Sequence, residues 1–380
     1  MKRAYVLGVG MTTFGKRPET SMEKMGVEAV REALTDGGLD IRQIEAMWCG
    51  HCWQGSGAGQ RILAAYGFSG IPVTNVENIC ASGSTAFREA YYAVATGRYD
   101  MCMALGVEKM TGKFKGAITP DEEDLEGELG LTFPAIYALR AQRYMHEYGL
   151  TSEDLAKISV INHLNALYNE KTLFGEAITI DDVLNSPMIC SPLHRYDCNP
   201  VSDGAAAAIV VSEKIVKQLG GRPVEVVASA LTSGKFEPGF IDMTFEEMTH
   251  RAAREAYHQA GIGPEDVDFA EVHDCFTIAE VLRIEGLGLC ERGGMVRMIR
   301  DGDIEIGGKK PINASGGLLG KGHPLGATGV AQIYELAKQL RNEAGKRQID
   351  GARIGLAHCR GGLVTGTEGA ACAVAILRRA

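Results

Sequence analysis

The sequence predicts an α/β protein built from two copies of one β-α-β unit, with a segment of different character inserted into the first copy. Two internal matches and one change of composition carry this. Residues 31–50 align with 254–273 at constant offset, so that Arg31-Glu32-Ala33 meets Arg254-Glu255-Ala256, Gly38-Leu39 meets Gly261-Ile262, and Ile44 meets Val267. A second match sets Cys80-Ala81-Ser82-Gly83-Ser84-Thr85 against His323-Pro324-Leu325-Gly326-Ala327-Thr328. Between the copies the chain turns Gly-, acid- and Pro-rich. Self-similarity of this kind reads as a duplicated supersecondary unit.

In chain order, Ala4 to Val9 is an apolar first strand, followed by a Gly-rich turn and a helix from about Met22 to Asp36. Ile44 to Met47 forms the second strand. In both copies the pattern is helix, Gly C-cap, short acidic linker, strand. The β-capable run Ile71 to Val76 leads into Asn78-Ile79-Cys80-Ala81-Ser82-Gly83, and a helix-patterned run, Ala86 to Ala95, leads out. Residues 113–200 read as a loop or lid insertion. They hold the acidic run Asp121-Glu122-Glu123-Asp124, helices over Ala135 to Tyr148 and Ser152 to Asn169 (the second capped by Ser152), and Pro187, Pro192 and Pro200. Asp203 to Val211 returns to a buried strand. The first half is therefore 1–112 with 201–221, and the second 222–380.

Composition bounds the class. The 380 residues are 45% hydrophobic and 23% charged, ordinary for a globular chain with a sizeable core. A net charge of -9 without a dense basic patch argues against nucleic acid. No run of about 18 apolar residues is present, and the apolar stretch after Met1-Lys2-Arg3 is too short for a signal sequence. Ten cysteines at irregular spacing suit reduced thiols of the cytoplasm better than a disulfide framework.

Cys80 stands on a strand-to-helix turn. Small neighbours leave its thiol uncovered, and the helix start favours negative charge there, which predicts a thiol drawn toward the thiolate. The second half supplies partners in Gly-rich turns: His273-Asp274-Cys275-Phe276, Gly322-His323-Pro324, and His358-Cys359-Arg360-Gly361-Gly362. Strand C-terminal ends and helix N-terminal ends share one face in such a sheet, so Cys80, His273, Cys275, His323 and Cys359 can converge. The set suits acyl transfer through a thioester: one thiolate attacks a carbonyl, backbone N–H groups and a neutral His steady the oxyanion, and a second thiol shuttles a proton. The scattered spacing, without paired CxxC, argues against structural zinc.

These blocks, in this order over nearly the whole chain, resemble the thiolases. The resemblance implies that Cys80 is the nucleophile, that His323 activates it, and that Gly361 lends a backbone N–H. His273-Asp274-Cys275-Phe276 is the form of this block found in sterol-carrier-protein-2-type thiolases and their archaeal and bacterial relatives, where the cysteine serves as acid/base. Both Cys275 and Cys359 are present here, and the resemblance favours Cys275. It further implies a five-layered αβαβα fold and a homodimer or tetramer. Coenzyme A thioesters are substrates, with no permanently bound cofactor or metal. A small zinc-ribbon/OB-fold partner subunit accompanies some relatives. The reaction expected is ping-pong cleavage or formation of a 3-oxoacyl-CoA, either acetoacetyl-CoA or a bulky aromatic one such as benzoylsuccinyl-CoA.

Other motifs weigh less. Trp48-Cys49-Gly50-His51-Cys52 matches the disulfide-isomerase motif but falls where the repeat places His273-Asp274. It reads as a loop at the site mouth or a subunit contact. The alternative function, a thiolase-fold scaffold or thiol-redox protein using Cys49 and Cys52, rests on it. Gly8-Val9-Gly10 with Gly15 is a weak dinucleotide fingerprint. His163, His194, His250 and His258 read as structural or solvated, and Cys102, Cys190, Cys290 and Cys372 as packing residues.

Overall fold

The computed structural model describes residues 1–114, 118, 125–172, 174–235, 241–363 and 369–380; the acidic run 121–124 lies outside them. The first half contributes β1 (Ala4–Met11), α1 (Met22–Gly37), β2 (Ala46–Gly50), α2 (Ala58–Tyr66), β3 (Val73–Val76), α3 (Ser82–Ala95) and β4 (Met101–Glu108). The insertion holds α4 (Leu125–Glu128), α5 (Phe133–Tyr148), α6 (Ser152–Leu167), α7 (Ile180–Asn185) and the short pair β5 (Met188–Cys190) and β6 (Leu193–His194). Then follow β7 (Gly204–Ser212), α8 (Glu213–Leu219), β8 (Val224–Thr232), α9 (Glu247–Ala260), β9 (Phe269–Glu271), α10 (Thr277–Gly286) and α11 (Met295–Asp301). The chain closes with α12 (Gly317–Lys321), α13 (Leu325–Leu340), β10 (Ile354–Gly361) and β11 (Ala371–Arg379).

Nine strands form one sheet in the order β3-β2-β4-β7-β1-β8-β11-β10-β9. Read outward from the middle, the halves repeat each other. β1 and β8 each have an antiparallel neighbour (β7, β11), then another antiparallel one (β4, β10), then a parallel one (β2, β9). The halves join through only Ala4↔Val226, Tyr5↔Glu225 and Val6↔Val224. Helix α1 covers β1 and β7, α9 covers β8 and β11, and α3 and α13 pack on each other and on strands of both halves. The succession is helix, sheet, helix, sheet, helix. Strands covered on both faces carry unbroken apolar runs, as Gly204–Ser212 does, buried at every position.

Glycines of the suspected dinucleotide fingerprint serve packing instead. A Cβ on Gly8 would lie 2.2 Å from the Ala33 carbonyl oxygen, and one on Gly10 2.3 Å from that of Ala29. They let α1 lie directly on β1.

The insertion is more structured than a loop. Its helices α5 and α6 pack against α10, and α6 also against α11 and α12. Thr151, not Ser152, caps α6: its hydroxyl accepts from the Asp154 N–H while Asp154 accepts from the Thr151 N–H and hydroxyl. The second strand starts at Ala46, because Ile41–Gln43 forms a 3-10 turn ahead of it. No helix among the described residues is long and apolar enough to cross a membrane.

Candidate active site

Between β3 and α3 the backbone is forced into an uncommon shape. Ile79 has φ +50°, a region that costs a β-branched residue on the order of 1–3 kcal/mol. Local hydrogen bonds hold it there. The Ile79 N–H donates to Glu77 Oε1 (2.5 Å), and its carbonyl accepts from Ser82 Oγ (2.6 Å) and Cys52 Sγ (3.1 Å). Cys80 follows in a 3-10 turn, partly exposed, just before α3 begins.

The matching turn of the second half meets this one through glycines. A Cβ on Gly83 would lie 2.5 Å from the Gly326 carbonyl oxygen, and one on Gly329 2.1 Å from Ser84 Oγ. The N-terminal ends of α3 and α13 therefore touch, which brings His323 to Cys80. Glu108 fastens the arrangement: its carboxylate accepts from the Gly326 N–H (3.0 Å) and from the N–H groups of Cys52 (2.9 Å) and Trp53 (3.0 Å).

The tautomer of His323 follows from its neighbour. Thr328 Oγ1 donates to the Pro324 carbonyl (3.0 Å), so at 2.7 Å it accepts from His323 Nδ1–H. Nε2 is then unprotonated, and it is buried without a hydrogen-bond partner among the described residues. Burial, aided by the Arg283 charge, holds this imidazole neutral, its pKa near 3. His273, just past β9, stands edge-on to it with ring centroids 4.7 Å apart and is likewise pushed far down by burial. Cys80 Sγ and one nitrogen from each of these histidines lie within 4.8 Å of one another.

Beneath His273 the chain is anchored by Asp274. Its carboxylate accepts from the Leu318 (2.7 Å) and Leu319 (3.2 Å) N–H groups at the start of α12 and from Asn162 (3.1 Å) of the insertion.

One sequence expectation changes. Cys80 is not drawn toward the thiolate: burial pushes its thiol up to about 12, outweighing a hydrogen bond from the Gly362 N–H. Gly361 presses against the turn so closely that a Cβ would lie 2.1 Å from the Asn78 carbonyl oxygen. Cys359 is fully buried behind the nucleophile, packed with Ala81 and Ala371 and outside the cavity, with Sγ 3.0 Å from the Cys80 carbonyl and 3.4 Å from His273 Nδ1.

Cys80, Cys275, His273 and His323 all line one cavity of about 1610 Å³, with aromatic walls from Trp53, Phe133, Tyr137 and Phe276. His163, expected to be structural or solvated, lines it too. Cys52 also borders it, whereas Cys49 is buried among apolar side chains beneath α2, its thiol pushed up to about 12. No disulfide joins them, and all ten cysteines are free.

Two contributors had no signal in the sequence. Tyr137 of α5 stacks on Phe276 at 4.5 Å, and Arg283 of α10 is buried beside Cys275. Arginine in an amphipathic helix pattern reads as surface; only Thr328, one turn after His323, was open to inference from spacing.

Residues 4–214 match the family described as thiolase, N-terminal domain, and 240–377 the family described as thiolase C-terminal domain-like. An acetyl-CoA acetyltransferase of Methanothermobacter thermautotrophicus is 42% identical over 95% of this chain and 97% of its own. The benzoylsuccinyl-CoA thiolase subunit BbsB of Thauera aromatica is 38% identical over 95% of both. Human sterol carrier protein 2 is 38% identical over 94% of this chain and 70% of its own length. A solved structure named Ltp2-ChsH2(DUF35) aldolase matches with TM-score 0.86 and 27% identity, covering 100% of this chain and 98% of that one.

Proposed function

The chain belongs to the thiolase family and is an acyltransferase, and from that premise we propose that it cleaves, by ping-pong chemistry through Cys80, a 3-oxoacyl-CoA whose acyl group is larger than acetyl. One observation supports the choice of substrate: the cavity on which Cys80 opens is walled by the aromatic rings of Trp53, Phe133, Tyr137 and Phe276, which suit a bulky or aromatic acyl group. The name of the Thauera aromatica relative supports a bulky acyl group as well.

A thiol pushed up to about 12 needs a base at the moment of attack, and the unprotonated Nε2 of His323 supplies one. Cys80 Sγ attacks the 3-oxo carbon as its proton passes to Nε2. The Gly362 N–H and the protonated His323 steady the charge that develops, and the bond between C2 and C3 breaks. His273 faces the leaving enolate, and Cys275, in the cavity, protonates its carbon. Coenzyme A then gives its proton to Cys275 and takes the acyl group from Cys80, which recovers its proton from His323. Reversed, the same steps condense two acyl-CoA molecules. Cys359 does not enter the cavity and shuttles no proton to substrate.

Two further observations support a reading of the assembly. Strand β3 ends the sheet with one side unpaired among the described residues, which supports a second copy of this chain and hence a homodimer or tetramer. The word subunit in one relative's name and the two-component name of the structural neighbour support a small partner subunit.

Intact-mass spectrometry after incubation with acetyl-CoA and with longer and aromatic acyl-CoAs, beside Cys80→Ser, tests the reading. An adduct of the larger acyl groups, lost in the variant, is expected. Carbon–carbon cleavage without any adduct on Cys80 overturns it in favour of a lyase.

A further inference from the structure

Arg283 is fully buried, and no carboxylate lies within ion-pair distance of it among the described residues. Its donors go to the His273 carbonyl, Cys275 Sγ at 3.5 Å and the Tyr137 hydroxyl at 2.6 Å, while Nε has no partner among the described residues. Glu246, a buried carboxylate in the same region, is already engaged by Arg140 and Arg360. Glu246 thus acts on Arg283 only at longer range, and a buried guanidinium with no anion at ion-pair distance is expensive, as the cost of breaking a buried ion pair shows. Two of its acceptors can ionise. Burial works against ionisation of the Tyr137 phenol, which already accepts a second N–H from Arg360 at 3.3 Å. Cys80, Cys198, Tyr137 and Arg283 act electrostatically on the remaining acceptor, Cys275, and of these four only Arg283 carries a permanent charge.

We infer that Arg283 is a positioning residue that serves as counter-ion to Cys275, holding the thiolate that Cys275 becomes between the two half-reactions. The inference rests on the acyl-enzyme reading above and adds to it a place for the charge. When Cys275 gives its proton to the enolate carbon, a C–H bond forms, an S–H bond breaks, and the electron pair stays on sulfur. Cys80 is then acylated, His323 carries the proton taken from Cys80, and the Cys275 sulfur is negative. Coenzyme A returns a proton to that sulfur in the second half-reaction, and the enzyme regains its starting state. The Arg283 NH1 group bonds both to this sulfur and to the His273 carbonyl, so one guanidinium sets charge and position together.

The test is iodoacetamide alkylation at pH 7, followed residue by residue by peptide mass spectrometry, in free enzyme and in enzyme preincubated with acyl-CoA. In wild type preincubated with acyl-CoA, Cys275 is expected to react at least tenfold faster than in free enzyme, and faster than Cys190 and Cys290, thiols of similar partial burial that accept no hydrogen bond from Arg283. Arg283→Met is expected to slow Cys275 at least tenfold, and Arg283→Lys to restore most of the rate. A merely structural role would not distinguish lysine from methionine in this way. With Cys80 acylated, Cys275 reacting no faster than in free enzyme, or at the wild-type rate in folded Arg283→Met, overturns the inference. Intact mass reports separately whether Cys80 has acquired the acyl group, so a failure of the acyl-enzyme reading is told apart from a failure of the counter-ion.

Discussion

The Cys359 thiol sits 3.0 Å from the Cys80 carbonyl oxygen and is fully buried, whereas Cys275 lines the cavity. The proposed reading gives the proton transfer to Cys275 and leaves Cys359 to brace the turn. Cys359→Ser is therefore expected to keep turnover within about tenfold of wild type, and Cys275→Ala to lose about 10²–10⁴-fold, the usual range for a proton-transfer group. Steady-state thiolysis rates decide it; the reverse ranking assigns the shuttle to Cys359.

Thr328 fixes which nitrogen of His323 bears the proton. Thr328→Val keeps the shape and removes the acceptor, so the ring loses its preference for the competent tautomer. Acylation of Cys80 in rapid quench is expected to slow by about tenfold or more, short of the ~10²–10⁴-fold for removing His323 itself. An unchanged rate refutes this assignment.

Gly361 has no room for a side chain, since a Cβ would lie 2.1 Å from the Asn78 carbonyl oxygen. Gly361→Ala must push the nucleophile turn away from β10. A stability loss on the order of 1–3 kcal/mol, as for other overpacking, should accompany a loss of acylation larger than that destabilisation explains. Denaturant melts and adduct formation measure the two.

Glu280 accepts from Asn162 and Asn313, both at 2.8 Å, inside a site where burial and then the nearby Asp274 charge push its carboxyl up to about 8. The folded state keeps this proton up to about pH 8, whereas the unfolded chain releases it near ~4.3, so this group's contribution to stability is full at low pH and is lost as pH rises across that interval. Glu280→Gln removes that slope. Melts at pH 5 and pH 8.5 should show the variant gaining on wild type at the higher pH; parallel curves would falsify the assignment.

Cys80, His273 and His323 also present three soft donors within 4.8 Å of one another. Zn²⁺ prefers such ligands. Micromolar zinc is expected to inhibit acylation and a chelator to restore it, with Cys80→Ser lowering the zinc affinity measured by calorimetry. Equal affinity in the variant places the inhibitory zinc elsewhere.

The doubled architecture and the cluster of Cys80, His273, Cys275 and His323 were legible because glycine-rich turns and matched helix starts are local features. What failed was what depends on distant chain. Small neighbours and a helix start told correctly that the Cys80 thiol would be accessible, but its charge is set by burial on the cavity floor. The close fit of Gly361 against Asn78 shows only once the end of β10 is placed. Arg283 and Tyr137 meet only because a helix of the insertion packs on a helix of the second half. Neither segment carries a mark of the other.

The aligned turns at Cys80 and His323 occupy the same place in the two repeats and meet glycine to glycine. A protein with one copy of the unit, pairing with itself, would have to fill both positions with the same residue: two thiols or two imidazoles facing each other, and no attacking pair. With both copies in one chain, the two turns can differ. In the proposed reading one carries the group that is acylated and the other the group that takes its proton, a division of labour across matched positions.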